Sequence, residues 1–259
     1  AATETTSIYS MPRWRGLESD FALQLVNPYF SKQLPGKKSD VKDAEWIAIC
    51  LQKGLIKGSF VPDVAIQRLR QYNRRIFDLN KDISYKLTKL DMALQRCNIR
   101  ISNYISSTDS KSYKKVVEKL ASGLTDPQEL EKCIHGRTVN RFGKDIITAS
   151  LTGVINETDI DIMSQLKSEI DLAERHKSEC LMKMREICME NYPEQLENIK
   201  SIPGIKEQSA TSIIAEVGVD MKMFLTAAAI VSWCGLRPRN EESAGKIKSR
   251  KIVHGNKYL

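Results

Sequence analysis

"IQRLRQYNRRIFDLNKDISYKLTKLDMALQRCNIRISNY", residues 66–104, is the stretch that organises the chain. From Ile66, the positions Leu69, Asn73, Ile76, Asn80, Ile83, Leu87, Leu90, Leu94, Cys97, Ile101 and Tyr104 alternate steps of three and four. Residues so spaced stay on one side of a helix and form the seam of a coiled coil. Asn73 and Asn80 fall on the a positions, where a buried amide commonly sets register or oligomer state. A second seam, Met163, Leu166, Ile170, Ala173, Lys177, Cys180, Met184 and Ile187, follows a polar region with short helical patterns. The two seams predict either an antiparallel hairpin within the chain or pairing of each with a second copy, because both arrangements bury the same stripe. Arg68, Arg70, Arg74 and Arg75 gather near the start, so the region reads either as a spacer or as a nucleic-acid surface.

Upstream, residues 1–58 alternate strand and helix. In "FALQLVNP" (21–28), Phe21, Leu23 and Leu25 recur with a period of two before an Asn-Pro turn, which predicts a strand. After "YFSKQLPGKKS", the residues Ala44, Ile47, Ala48 and Leu51 recur at helical spacing until Gly54. Strand, loop and helix in this order predict an α/β unit. Downstream, Pro193 closes the helical connector (59–195), and residues 196–259 begin a mainly α domain. There "LENIKSIPGIKEQSATSIIAEVG" (196–218) predicts a helix-hairpin-helix, with Ile202 and Ile205 beside the turn and Ala210, Ile213, Ile214 and Val217 on an apolar face. Amides of the Gly204 turn and of the helix that starts after Lys206 can hold a phosphate.

Composition narrows the partners. The 259 residues carry 40 Lys and Arg against 32 Asp and Glu, a net charge of +8 that favours a polyanion such as nucleic acid. Six scattered cysteines with no C-x-x-C pair suit a reducing compartment better than a disulfide framework or zinc site. No apolar stretch is long enough to span a membrane and no signal peptide pattern opens the chain, so a cytoplasmic protein is expected.

Several residues could carry chemistry. Asp40 and Asp43 lie three apart where a polar loop becomes a helix, and so share one face. They read as first-turn charges favoured by the helix dipole, or as two carboxylates sharing a Mg²⁺ ion; spacing alone favours the first. Glu4 stands at the carboxyl end of an opening strand, the edge where ligands gather in open α/β sheets. Ser243 sits in a basic loop before Gly245, with seven Lys or Arg residues in its neighbourhood. It could attack a phosphodiester while Lys246, Lys248, Arg250 and Lys251 offset charge on the phosphate oxygens. His254 is the only nearby imidazole and a conceivable base, though it reads first as a local hydrogen-bonding residue.

The order of motifs is more specific than any one of them. "TETTSIY" (3–9), "LVNP" (25–28), "GKKSDVKDAEWIA" (36–48), "IPGIKEQSATSIIAEVG" (202–218) and "GLRPRNEESAGKIKSRKIVHGNKYL" (235–259) resemble the DEDD insertion-sequence transposases. These join a RuvC-like domain to a serine-bearing transposase domain and are also known as bridge-RNA-guided recombinases. The resemblance implies an RNase H-like N-terminal part lacking its first strands. It implies that Glu4, Asp40 and Asp43 are the last three members of an acidic tetrad binding Mg²⁺, and that Ser243, in "ESAGK", forms a covalent phosphoserine link with DNA. It implies donor and target DNA as partners, a structured guide RNA, strand exchange through a Holliday junction, and a dimer or tetramer held through the coiled coil. It also carries the expectation of a chain truncated at both ends, with the tetrad's first aspartate before Ala1 and a further helix after Leu259. The residues leave two alternatives open: a metal-dependent junction nuclease that needs no serine, and a non-catalytic nucleic-acid-binding remnant.

Overall fold

The computed structural model describes residues 1–4, 9–27, 40–56, 58–238, 241–243, 245–252 and 254–259, without the side chains of 40–43, 241–242 and 248. It is mostly helical and divides into two compact units, 1–64 with 220–225, and 65–219 with 226–259.

The first unit opens with β1 (Ala2–Glu4), α1 (Ser10–Leu17) and β2 (Gln24–Val26). The strands pair in parallel, Ala2 with Gln24, Thr3 with Leu25 and Glu4 with Val26. Parallel neighbours need a crossover, and α1 lies in it. Helix α2 (Asp40–Gln52) packs against β1. It stops as the sequence predicts: Gly54 adopts φ +66°, its amide donates to the Leu51 carbonyl, and the Leu55 amide donates to that of Cys50. Those two bonds close a Schellman cap, which favours glycine. The buried faces differ from the expected ones. Val26, not Leu25, is the buried strand residue, and Phe21 lies outside the strand and exposed. On α2, Trp46, Ile47, Cys50 and Leu51 face inward while Ala44 and Ala48 are exposed, because the i,i+4 pairs with the larger side chains bury more apolar area.

The second unit is built on two long helices, α3 (Val64–Arg96) and α8 (Glu157–Asn191). Arg96 pairs with Asp159, and Lys86 with Glu169 at 2.6 Å, so ten residues back along α3 match ten forward along α8. That register is antiparallel and lies within the chain, which decides between the two arrangements the seams allowed. The apolar stripe is therefore covered within the chain. Asn80 is exposed, and Leu79 takes its place in the stripe. The switch falls where α3 passes from one core, containing Ile66, Leu69, Ile76, Met184, Ile187 and Cys188, to another containing Leu79, Ile83, Leu87, Leu90, Met163 and Ile170. An α-helix drifts about 20° per heptad against a strict seven-residue repeat, so one offset inside a 33-residue helix is its natural result.

The helix also ends before the stripe does. Asn98 at φ +64° lets its own amide reach the Gln95 carbonyl and the Ile99 amide reach that of Leu94, so Cys97 and Ile101 are buried outside the helix. Four short helices fill the distal end: α4 (Lys111–Ala121), α5 (Pro127–Glu131), α6 (Gly136–Phe142) and α7 (Lys144–Ser150). At the other end, α9 (Pro193–Lys200) and α10 (Glu207–Val217) add Leu196, Ala210, Ile214 and Ala215 to the proximal core. Residues 65–195 thus share one compact unit with 196–219 and 226–259, because the proximal core draws on both sides of Pro193. A short helix α11 (Ala227–Trp233) precedes a hairpin of β3 (Glu241–Ser243) and β4 (Lys246–Ser249). All six cysteines are free thiols, and no helix of the described residues is long and apolar enough to cross a membrane.

Candidate functional site

Ser243 is the last residue of β3, and its cross-strand partner is Lys246. The loop expected here is a tight antiparallel hairpin, whose turn includes Gly245 at φ +73°, a conformation glycine adopts without strain. Ser243, Gly245 and Lys246 are exposed, as are Arg250, Lys251 and His254. The side chain of Lys248, in β4, lies outside the described residues. The register between the strands shifts between Glu241 and Glu242, a bulge of the kind that re-aims a strand end. A hydroxyl is thereby presented to solvent with a cation directly across the ladder.

The segment after this hairpin is fastened by a cluster that the sequence reading missed. Glu216, 1% exposed, accepts hydrogen bonds from Asn256 Nδ2 at 2.8 Å, Asn73 Nδ2 at 3.2 Å and the Arg74 guanidinium at 3.3 and 3.4 Å. Arg70 donates to the backbone carbonyls of Ala215 and Glu216, both at 2.9 Å. Asn73 also donates to the Tyr258 carbonyl, and Tyr258 lies edge-on to Phe77 and beneath the Arg74 guanidinium. Gly255 packs so closely on Cys234 and Gly235 that a Cβ there would lie 2.1 Å from the Gly235 nitrogen. Helices α3 and α10 and the 255–258 strap therefore meet around one carboxylate. Burial would push its pKa up, but the hydrogen bonds from Arg74, Asn256 and Asn73 and the Arg74 charge outweigh that and hold it below the ordinary value. Burial lowers the pKa of Arg70, and Glu216 opposes the shift.

This cluster changes the reading of two sequence features. Asn73 is buried, as expected of an a-position amide, yet its partners are a carboxylate and a carbonyl from the C-terminal segment. Arg70 and Arg74 are engaged inside the fold. The signal for the cluster was Glu216 itself, a charge one residue from the apolar face of α10. That face is rotated from the expected one, burying Thr211, Ala215 and Glu216 while Ile213 and Val217 are half-buried.

Between α9 and α10 the predicted turn is present. Gly204 takes φ +90° with open space where a Cβ would stand, Ile202 is half-exposed, and Ile205 is partly buried. Lys206 occupies the position before α10 and is exposed, with no side chain capping the helix. Glu207, in the first turn, is paired with Arg185 at 2.9 Å.

In the first unit Glu4 ends β1, and α2, which starts at Asp40, packs against that strand. The structure thus brings the elements carrying the three carboxylates together. The side chains of Asp40 and Asp43 lie outside the described residues, among which no group of three or more His, Cys, Asp or Glu could hold a metal ion.

Comparison with known proteins gives these arrangements a setting. Residues 2–99 match the DEDD transposase family of IS110, described as a transposase, and residues 196–259 match the transposase IS116/IS110/IS902 family. No curated protein and no solved structure matches the chain. Domains of these families suggest a DNA-processing enzyme. More narrowly, the chain carries IS110-family transposase domains, which support a transposase of an insertion sequence, and its parallel β-α-β unit fits an RNase H-like part.

Proposed function

We propose that the chain cuts and rejoins DNA as an RNA-guided recombinase, with carboxylates in residues 1–58, the nucleophile in residues 196–259, and 59–195 as the connector. The observation that carries this is Ser243, exposed at a hairpin tip, opposite Lys246, inside a segment matched by a transposase family. Its Oγ would form a bond to the scissile phosphorus and release its proton, and the deoxyribose oxygen would leave and take up a proton. The phosphoserine ester keeps the energy of the phosphodiester, so attack by another strand's hydroxyl reverses the step and joins the DNA. Lys246, Lys248, Arg250 and Lys251 offset charge on the phosphate oxygens, while the Gly204 turn and Lys206 grip the backbone.

Glu4, Asp40 and Asp43 offer only carboxylate oxygens, at the carboxyl end of a parallel strand and at the start of a helix packed on it. That donor set suits a hard cation, and these three residues would hold Mg²⁺. When bound, it supplies neutralisation and orientation of the DNA phosphate. Specificity would be delegated to a structured guide RNA paired with donor and target, exchange passing through a Holliday junction.

Incubation with its DNA and guide RNA should trap a covalent protein–DNA adduct with the wild type, and Ser243→Ala should abolish the adduct while leaving nucleic-acid binding intact. Hydrolytic cutting that persists in Ser243→Ala without any adduct would instead establish a metal-dependent nuclease. Asp40→Ala and Asp43→Ala should each remove Mg²⁺-dependent recombination; normal turnover in both would leave these residues as helix-start charges.

A further inference from the structure

Three of the cavities among the described residues lie in the helical body of the second unit, and their chemistry differs. Two, beside α3 and α8, have linings of mixed charge, Glu118, Asp171 and Glu174 with Lys114 and Lys167 in one and Asp109 and Glu174 with Lys177 in the other. The third, of about 380 Å³, lies where the chain leaves α3 and meets α6, and no acidic residue lines it. Its walls are Arg137, Arg141 and Phe142 from α6, and Tyr104 from the segment after α3, with Asn103, Ser106 and Thr138 among the polar lining. A volume of that order is within the range of sites that take small organic groups.

We propose that this groove binds a single-stranded segment of a polynucleotide, the arginines holding phosphates and the aromatic pair meeting a base. Arg137 and Arg141 stand four apart and so share one face of α6, which buries none of its residues. Both are exposed. Among the described residues neither has a carboxylate partner, whereas nearby Lys114, Lys132 and Lys144 are each paired with an Asp or Glu. Two guanidinium groups left without counter-charge on one helix face attract an external anion, and they match phosphate in geometry. The aromatic part of the ligand follows from the same wall. Phe142 lies edge-on to Tyr104, with ring centroids 5.3 Å apart, and the Arg141 guanidinium stands 5.0 Å from the Phe142 centroid. Aromatic rings and guanidinium groups are the surfaces on which single-strand binders take unpaired bases. The neutral amide and hydroxyl groups can hydrogen-bond base edges or sugar without repelling phosphate. The net charge of +8 adds long-range attraction for the same class of ligand.

This site is independent of Ser243 and the carboxylates, and its test separates the two proposals. The full chain is titrated with fluorescent single-stranded RNA and DNA oligonucleotides at several salt concentrations, with adenosine monophosphate and heparin as comparison ligands. Arg137→Ala/Arg141→Ala should weaken oligonucleotide binding at least tenfold and flatten the dependence of log K on log salt by about 1.4, since each single-strand phosphate contact contributes about 0.7. Arg137→Lys/Arg141→Lys should restore the slope, and Tyr104→Leu should lower affinity without changing it. RNA and DNA binding with similar slopes assigns the site to the phosphate backbone; preference for RNA adds ribose recognition. An unchanged slope in the double alanine variant overturns the proposal, as does monophosphate binding as tight as the oligonucleotide, or heparin binding that falls as much. Circular dichroism of each variant confirms the helices, and Ser243→Ala should bind like the wild type.

Discussion

At the scale of single residues the second unit turns on Glu216. A carboxylate 1% exposed is tolerable only with several donors, and Asn73, Arg74 and Asn256 supply them from two distant segments. Removing it leaves those donors facing each other across a cavity, and Glu216→Ala should cost about 2–3 kcal/mol of stability, readable as a lower urea midpoint. Its native pKa lies below the ordinary glutamate value of 4.5. The sign follows by linkage: the ion's contribution is complete above the unfolded value and fades as pH falls from there through the lowered native one. Wild-type stability should therefore drop below about pH 4.5 more steeply than that of Glu216→Gln, which cannot titrate at this position. Equal slopes in urea titrations from pH 5 to pH 3 would show that the charge of Glu216 contributes nothing.

At the scale of elements, the sequence carried period well and partner poorly. Both long helices follow from their three-four spacing, and the stop of α2 at Gly54 follows from the one residue suited to φ +66°. The helix–turn–helix around Gly204 was legible for the same reason. Illegible were the facts fixed by what packs opposite. Asn80 and Leu79 are adjacent, and either keeps an acceptable spacing; only the handover between two cores selects the leucine. Ser243 lay in a stretch rich in Gly, Lys and Arg that reads as loop, and its strand exists through pairing with β4, a relation no single segment encodes. The Glu216 cluster joins residues 40 to 185 positions apart. A pair of amide substitutions tests the revised register. Asn80→Ala should shift stability by no more than about 0.5 kcal/mol, as at an ordinary surface position. Asn73→Ala should cost about 1–3 kcal/mol, because it removes donors to Glu216 and the Tyr258 carbonyl. Equal costs in thermal or urea unfolding would restore the expected seam through Asn80.

At the scale of the whole molecule, the question is where the chain's largest apolar stripe finds its cover. Ile66 to Leu94 on α3 meet Met163 to Cys188 on α8, and Leu196, Ala210 and Ile214 close the proximal end, all from the same chain. A stripe covered in this way makes the folding of the second unit unimolecular. Were the helices paired with those of another copy, folding and association would be one equilibrium, and the melting temperature would climb with protein concentration. The expected outcome is a melting temperature for the helical unit that stays constant over a hundredfold range of concentration. Leu90→Ala, at a position 2% exposed, supplies the companion measurement. It should lose about 2–5 kcal/mol, the usual cost of emptying a leucine site in a packed core, and that loss should not depend on concentration. A rise in melting temperature with concentration in the wild type, abolished by Leu90→Ala, would mean that copies exchange the long helices, returning the seam to the role of an interface between copies. A constant value leaves any dimer or tetramer of this chain to surfaces other than the stripe, so that assembly and folding can be altered by separate substitutions.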